Sequence, residues 1–171
     1  MSNRDIMQSA LKEHTFTLLK EQGFTGKHPN FRRKFDNCIE LISFQTNKWG
    51  GSFAIEVSAV FPNSSNTNYN LYAGVTEDAI GVEATNERYR LPGMYDGWFY
   101  YRDVYRKRTF FFGNVYYDVP EKQVDNFIPP KGYILVQKFD DDTASQICAE
   151  INKQIEVAYK WLDKFKKRNI K

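Results

Sequence analysis

The first segment of the chain has the hydrophobic periodicity of an amphipathic helix. Over residues 3–22, one stripe of positions recurs at spacings of three and four residues, while charged side chains occupy the opposite face. The positions on this stripe are Ile6, Met7, Ala10, Leu11, His14, Leu18 and Leu19. Ser2, with Asp5 three residues later, is typical of an N-terminal cap. Gly23 then predicts that the helix ends near Gln22.

After the first helix the period of the pattern changes to two, which is typical of strands. Apolar and polar positions alternate over residues 31–35 and again over residues 53–61, although one apolar position of the first run is an arginine. Residues 38–45, between these runs, are rich in β-branched and aromatic side chains. The glycine pair 50–51 permits the positive φ of a tight hairpin. We therefore predict a meander of three antiparallel strands.

The middle of the chain has a weaker pattern. Residues 62–70 are polar and rich in turn formers, which predicts a loop. We interpret residues 81–91 as a strand and residues 91–97 as a turn. The runs 98–101 and 109–117 are aromatic without clean alternation, and we interpret them as strands covered on both faces.

The last third of the chain contains the strongest single element. Residues 118–121 predict the start of a short helix, which ends before Pro129. Residues 132–137 are interpreted as a strand, and residues 143–168 as a long helix that begins with a capping box at Thr143. The apolar stripe of this long helix consists of Ala144, Ile147, Cys148, Ile151, Ile155, Ala158, Trp161, Leu162 and Phe165.

The order of these elements predicts the fold class, because helices and strands are segregated rather than alternating. It favours an α+β fold with a mostly antiparallel sheet, on which an N-terminal helix and a long C-terminal helix pack. The chain has 171 residues, enough for a sizeable core, and we expect a single domain over residues 1–171. Its 14 Phe, 11 Tyr and 3 Trp argue against disorder.

The net charge of +3 is concentrated at the C-terminus. Residues 164–171 hold five basic residues and no acidic one, so residues 1–163 carry 19 basic residues against 21 acidic ones. Such a tail is either an electrostatic arm for nucleic-acid phosphates or a set of cations that complements a helix dipole. The second interpretation is favoured, because a pI of 8.7 is below that of a typical nucleic-acid-binding domain.

The residue types that most often carry catalysis are scarce. Of the two histidines, His14 is expected in or near the core and His28 in an exposed turn. Cys38 and Cys148 fall on apolar faces and are expected to be buried and reduced. With two cysteines in all, a disulfide framework and a four-cysteine zinc site are excluded.

Metal and phosphate motifs are also missing from the sequence. No His/Cys pair has the spacing of metal ligands, and neither a Walker sequence nor G-x-G-x-x-G occurs. Residues 140–142 are three aspartates, but carboxylates directly before a helix more often satisfy its free amides than bind a cation. We therefore expect no metal and no cofactor.

One segment, residues 88–117, interleaves cations with aromatic rings. Three interpretations remain open: a core strand pair with arginines stacked on rings, a protein interface anchored by Tyr, Trp and Arg, or a nucleic-acid surface that stacks bases. The candidate binding residues in it are Arg88, Arg90, Tyr95, Trp98, Tyr101, Arg102, Tyr105 and Arg106, and the last is followed by Lys107, Arg108 and Phe110.

Several of these residues stand in motifs that resemble those of a known family. Residues 39–50 and 53–57 resemble an I-x-F-Q-x-S-x-W/Y stretch followed by a strand that begins with Phe. Residues 88–93 and Trp98 resemble its arginine-rich, leucine-proline-glycine and tryptophan region. The family is a bacterial one catalogued as domain of unknown function 4304, and the resemblance extends over residues 5–105.

The resemblance implies a small cytosolic bacterial α+β domain and brings no established activity. Similar small domains occur among immunity proteins that neutralise bacterial toxins, which suggests such a role by analogy. A polar site shared by the family is expected at the motif positions Gln45, Lys48, Trp49, Arg88, Arg90 and Trp98. The alternative for Gln45 and Trp49 is a hairpin stabilised by a buried amide and a packed indole.

The sequence therefore favours a non-enzymatic module that binds an unidentified protein through residues 88–117. Nucleic-acid binding through the same segment is the alternative. An enzyme would require Glu40 or Glu56 to share a pocket with Arg33 or Arg88.

No stretch approaches the roughly 18 apolar residues of a membrane helix, and the N-terminus lacks the apolar run of a signal peptide. We expect a cytoplasmic location and no membrane contact.

Overall fold

Two antiparallel sheets and three α-helices make up the described part of the chain, residues 1–62, 76–120, 122–123 and 127–170 of a computed structural model. The helical segments are α1 (Asn3–Ala10), a π-helical turn (Leu11–Phe16), α2 (Thr17–Glu21), a 3₁₀ turn (Val82–Ala84) and α3 (Asp141–Asn169). The strands are β1 (Thr25–Lys27), β2 (Asn30–Lys34), β3 (Ile39–Thr46), β4 (Ser52–Val60), β5 (Tyr89–Arg90), β6 (Phe99–Tyr100), β7 (Val104–Thr109), β8 (Gly113–Asp118) and β9 (Ile134–Gln137). The predicted α+β class is confirmed.

The N-terminal helical segment begins and ends where the sequence predicts. The Ser2 side chain accepts a hydrogen bond from the Asp5 amide at 3.3 Å, and the Asp5 carboxylate accepts one from the Ser2 amide at 3.2 Å. These two bonds form a capping box, which satisfies amides that the first turn leaves free. Gly23, in the left-handed region with φ +87°, directly follows the last helical turn.

The π-helical turn in the middle of this segment corrects one prediction. A π-helical turn contains more residues than an α-helical one, so the side chains after it are rotated about the helix axis. Thr15 and Phe16 are consequently buried, whereas His14 is exposed to solvent. The expectation that His14 lies in or near the core was wrong, because it assumed an unbroken α-helical period.

The larger sheet contains the predicted meander, which is confirmed. Its strands are hydrogen-bonded in the order β1-β2-β3-β4-β5, and β6 also pairs with β4. Strands β3 and β4 pair without interruption from Ile39 opposite Val60 to Thr46 opposite Phe53. Both residues of the glycine pair 50–51 have positive φ, +71° and +79°, as the hairpin between these strands requires.

Helix α3 covers the larger sheet with the predicted stripe. It packs against β4, α1 and the π-helical turn, and every stripe residue is buried except the half-buried Trp161, whose ring stacks on Phe165. A fully buried large apolar side chain contributes about 1.5–3 kcal/mol relative to an exposed one, so this stripe is a principal source of stability. Gln154, on the same helix, exchanges two 3.0 Å hydrogen bonds with the backbone of Gly93 and so anchors the predicted turn at 91–97.

The N-terminus of α3 differs from the prediction by three residues. Asp140, not Thr143, is the cap: its carboxylate accepts a hydrogen bond from the Thr143 amide at 2.8 Å. This bond lowers the pKa of Asp140. The interpretation of this acidic run as a helix start rather than a cation site agrees with that geometry.

The smaller sheet has the strand order β8-β7-β9 and is joined to the larger one by a buried glutamine. The Gln137 side chain donates hydrogen bonds to the carbonyls of Tyr100 at 2.7 Å and Arg102 at 2.8 Å. Asp103 accepts a hydrogen bond from the Phe139 amide at 2.8 Å at the same junction. The inner end of β7 is therefore fixed to the larger sheet, while its outer end extends away from these contacts.

Other predictions for the middle of the chain need correction. Residues 81–91 form the 3₁₀ turn and the two-residue β5 instead of one strand. Residues 109–117 contain a turn and most of β8, and they are largely exposed rather than covered on both faces. Asp118 ends β8 instead of capping a helix. Four residues of the predicted helix beyond it, 121 and 124–126, lie outside the described residues. The predicted loop 62–70 lies outside them too, except for its first residue.

Candidate functional site

Three consecutive phenylalanines occupy the turn between β7 and β8 and are exposed to solvent. Phe110, Phe111 and Phe112 have relative exposures of 96%, 85% and 82%. The turn that presents them is closed by Thr109, whose hydroxyl accepts a hydrogen bond from the Phe112 amide at 3.1 Å and donates one to the Gly113 carbonyl at 3.2 Å. The tip is thus a hydrogen-bonded turn that holds three rings away from the core.

Three cations on β7 stand directly behind this tip. Arg106, Lys107 and Arg108 form no ion pair within the described part of the chain, and residues 104–117 include no Asp or Glu. The Lys107 ammonium lies 5.8 Å from the centre of the Tyr133 ring. We call these six side chains the hairpin surface: Arg106, Lys107, Arg108, Phe110, Phe111 and Phe112.

Further exposed apolar side chains lie on the smaller sheet and in the segment before β9. Ile134 and Leu135 on β9 and Ile128 ahead of that strand are exposed, and Tyr117 on β8 is partly so. Scattered apolar side chains on a surface are ordinary, whereas larger exposed apolar patches are typical of interaction sites. Sequence analysis included Phe110 in the aromatic segment and missed Phe111 and Phe112, although Phe-Phe-Phe-Gly between two strand-like runs is a detectable signal of an exposed turn.

The predicted aromatic residues of this segment divide between surface and core. Tyr101 is buried and packs between the rings of Phe53 and Phe139. Tyr95 is half-buried; its hydroxyl donates to the Val136 carbonyl at 3.3 Å, and burial raises the pKa of Tyr95. Trp98 and Tyr105 are also half-buried. Tyr101 is therefore a core residue, and a binding role for it stays a prediction.

Arg102 is also structural. Its guanidinium forms an ion pair with Asp118 at 3.1 Å, which connects the start of the smaller sheet to the end of β8. Its side chain passes so close to Gly51 that a Cβ at that position would lie 2.1 Å from Nε. The positive φ of Gly51 favours glycine at this position, and a larger residue would also displace the Arg102 side chain. A binding role for Arg102 stays a prediction.

The polar motif positions on the larger sheet converge on one carboxylate. Glu56 on β4 accepts hydrogen bonds from Gln45 at 2.8 Å and from Arg88 at 3.0 Å. Close by in the sheet, Arg90 is opposite Glu56 in register, and its guanidinium lies 4.7 Å from the centre of the Trp98 ring. Gln45 is half-buried and bonded, close to the buried amide that the sequence suggested. Both hydrogen bonds are made to the same carboxylate oxygen, Oε2 of Glu56.

Lys48 and Trp49 lie apart from this group, at the tip of the β3–β4 hairpin. Trp49 is 77% exposed, and its main contact is the Lys48 ammonium, 4.9 Å from the ring centre. The expectation of a packed indole was wrong, because the two-glycine turn directs the side chain outward. The structure therefore does not bring the predicted binding residues together in a single site.

A second carboxylate, Glu40, is the most deeply buried charge among the described residues. Only 1% of its side chain is exposed, and it forms ion pairs of 2.6 Å with Arg33 and with Lys166. Arg33 is its register partner on β2, which explains the arginine on that strand's apolar face. Burial alone would lower the pKa of Lys166, but its bonds to Glu40 and Asp163 outweigh burial and raise it.

Aromatic rings pack around this buried cluster. The Arg33 guanidinium also lies 4.6 Å from the centre of the Phe24 ring and 5.2 Å from that of Tyr159. A cavity of about 490 Å³ opens beside it, lined by Phe35, Asn37, Cys38, Asp163, Lys166, Lys167 and Ile170, but not by Glu40. The pairing of Glu40 with Arg33 therefore does not meet the condition of a shared pocket.

Both cysteines lie in the core of the protein. Cys38 and Cys148 are buried and free, as predicted. Burial raises the pKa of Cys148 to about 11, so its thiol is protonated at neutral pH and is a poor nucleophile. Within the described ranges, no group of three or more His, Cys, Asp or Glu side chains is placed to hold a metal ion.

Comparison with known proteins assigns a family without a function. The model of the family described as Domain of unknown function (DUF4304) matches residues 16–102. No curated protein and no solved structure matches the chain. Among the described residues, no helix has both the length and the apolar character needed to cross a membrane. The matched residues include the meander and the Glu56 group, whereas the hairpin surface lies beyond them.

Proposed function

Since the chain belongs to the DUF4304 family, whose description names no activity, we propose from its own geometry that it is a protein-binding module. Its hairpin surface docks into an apolar pocket on an acidic partner. The observation that carries this proposal is the exposure of Phe110, Phe111 and Phe112, each above 80%, on a turn closed by hydrogen bonds. Burying large aromatic side chains in a partner's pocket is the usual source of binding energy at an interface.

The charges around the tip support an acidic partner. No Asp or Glu lies between residues 104 and 117, and Asp118 at the far end of β8 is paired with Arg102. A partner with carboxylates around an apolar pocket would complement both features: the pocket would take the rings, and the carboxylates would face the cations. An immunity-like function is the special case in which that partner is a toxin.

The geometry of the rings favours a protein pocket over nucleic acid. Phe110 and Phe111 meet edge to face, with ring centres 5.3 Å apart and planes at 85°. Stacked bases need ring faces that are accessible and roughly parallel, as on a flat sheet. The three cations without ion pairs keep nucleic acid as the second candidate, because such cations neutralise phosphates.

The proposal is tested by photo-crosslinking followed by calorimetry. A benzophenone amino acid at position 111 should crosslink one protein in cells, whereas the same amino acid at the exposed position 49 should not. With that partner purified, changing all three phenylalanines to serine (Phe110→Ser, Phe111→Ser, Phe112→Ser) should weaken binding at least about thirtyfold, because anchor residues contribute about 2 kcal/mol or more. Trp49→Ser is the matched control and should leave the affinity unchanged.

Three results would contradict the proposal. One is the same crosslinked proteins at positions 111 and 49, and another is an unchanged affinity in the triple serine variant. The third is crosslinking to RNA or DNA at position 111, together with a salt-dependent gel shift that disappears when Arg106, Lys107 and Arg108 are changed to Ala. That outcome would replace the protein partner by the second candidate.

A further inference from the structure

A cleft on another part of the molecule, distant in sequence from the hairpin surface, has the features of a small-molecule site. It has a volume of about 320 Å³ and lies between the N-terminal helical segment and the β1–β2 hairpin. This volume is at the lower end of the range for ligand pockets, about 300–1,000 Å³. Its lining residues are Gln8, Lys12, Phe16, Lys20, Gly26, Lys27, His28 and Phe31.

The floor of the cleft is made of packed rings. Phe16 is at the centre, with its ring 5.0 Å from that of Phe31 and 5.7 Å from that of His28. His28 lies in a turn, as predicted, but it is half-buried against Phe16 and Phe44 rather than exposed. Burial lowers the pKa of His28, so its imidazole is uncharged near neutral pH and forms part of the cleft lining.

The rim of the cleft is cationic. Lys12, Lys20 and Lys27 are exposed, and none of them forms an ion pair with a residue that the structure describes. No acidic residue lines the cleft. Arg4 is close enough to His28 to lower the pKa of the imidazole by its charge, which adds a fourth cation to this side. The positive field at the opening is therefore without a counter-charge from the lining.

The π-helical turn explains how one helical segment supplies half of this lining. Gln8, Lys12, Phe16 and Lys20 are spaced four residues apart, and in a straight α-helix such a row drifts by about 40° at each step. The wider π-helical turn, Leu11–Phe16, rotates the chain the other way and keeps the row on one face. The same turn that exposes His14 thus places Lys12 and Lys20 in the lining of the cleft together with Phe16.

We propose that this cleft binds a small organic anion with a flat apolar ring. The ring lies against Phe16, Phe31 and His28, and the carboxylate or phosphate of the ligand faces the three lysines. Lysines act as point charges for such anions and do not require a fixed bonding geometry. This ligand site goes beyond the proposed protein-binding function and does not depend on it.

The test is a titration of the full chain with 2-naphthoate, followed by NMR and calorimetry, with 2-naphthamide as the uncharged analogue. Naphthoate should shift the amide signals of Gly26, Lys27 and His28, and naphthamide should bind more weakly. 2-Naphthyl phosphate, in a parallel titration, distinguishes a phosphate headgroup from a carboxylate, because the ring is the same in both ligands.

A matched pair of variants tests whether binding depends on the lysines of the cleft or on the positive charge of the protein in general. Changing Lys12, Lys20 and Lys27 together to Gln should weaken naphthoate binding about tenfold, because each exposed lysine contributes less than a tenfold change in affinity. The control, with three other exposed lysines changed to Gln, should bind as the wild type does; its positions are Lys138, Lys160 and Lys164. The single variant Lys27→Gln gives a smaller loss and checks the result with one surface change.

The proposal is overturned by any of three results. The cleft and control variants lose affinity equally, or the shifted signals lie in residues 104–117, or neither anion binds at concentrations up to about 1 mM. Binding of an anion at residues 26–28 that the cleft variant loses and the control keeps would support it. Failure of this titration leaves the crosslinking result at position 111 unaffected, so the two proposals are judged separately.

Discussion

The same side chain has opposite roles in the two sheets. On the larger sheet and its helices, phenylalanines are core residues: Phe31, Phe44 and Phe165 are each 1% exposed. At the outer end of the smaller sheet, three phenylalanines in a row are more than 80% exposed. Composition alone cannot separate these cases, because the aromatic content of the chain combines both.

The difference lies in what covers each sheet. The larger sheet has α3 and the N-terminal helical segment on it, so its inward side chains lose contact with water. The smaller sheet is attached at its inner end, where Gln137 and Asp103 bond to the backbone, and its outer end has no such cover among the described residues. The larger sheet therefore provides stability, and the smaller one presents a surface.

The largest expected contrast compares one buried with one exposed phenylalanine. Phe44→Ala should lower the free energy of unfolding by about 3–5 kcal/mol, because it removes a core ring and leaves a cavity. Phe111→Ala should change it by no more than about 0.5 kcal/mol. Urea denaturation followed by circular dichroism measures both values. A large loss in Phe111→Ala would mean that the hairpin tip packs on the protein itself.

The next contrast concerns buried and exposed ion pairs. Glu40→Gln should lower the free energy of unfolding by about 3 kcal/mol, since it leaves Arg33 and Lys166 without their counter-charge. Asp78→Asn, which breaks the exposed pair with Lys34, should have a much smaller effect, because solvent screens that pair. Comparable losses in these two variants under urea would show that Glu40 is better hydrated than its burial indicates.

The pH dependence of stability reports on the core beneath α3. Burial raises the pKa of Cys148 from 9.0 to about 11. A raised pKa in the folded state means that the stabilisation is complete below pH 9 and is lost as the pH rises through about 11. The wild type should therefore lose about 2–3 kcal/mol more over this range than Cys148→Ala does. If the free energies of unfolding of the two proteins change equally between pH 8 and about 11.5, the Cys148 thiol is not excluded from water.

The smallest expected effect is at the N-terminal cap. Ser2→Ala should cost about 1 kcal/mol, because it removes the side-chain acceptor of the capping box. Ser9→Ala, at an exposed position of α1, is the matched control and should be neutral. Thermal denaturation of both variants gives the comparison. An equal change in the two would show that the first turn frays and that the cap contributes nothing to the cooperative unit.

Local patterns in the sequence determined much of the larger sheet and its helices. The caps at Ser2 and Gly23, the three-strand meander and the apolar stripe of α3 each depend on residues close together along the chain. Spacing and turn chemistry within such a window determine a helix or a hairpin, so these predictions are confirmed. The single-domain organisation and the cytoplasmic location stay predictions.

Only the tertiary structure decided where the candidate sites lie. No local pattern reveals that Lys166 reaches Glu40, that Tyr101 is core while Phe111 is not, or that a π-helical turn removes His14 from the core. Alternation along a strand identifies its two faces but not which face another element covers. Whether a strand face is buried depends on its contacts with segments distant in the sequence. For residues 88–117, such contacts determine which side chains are in the core and which are exposed.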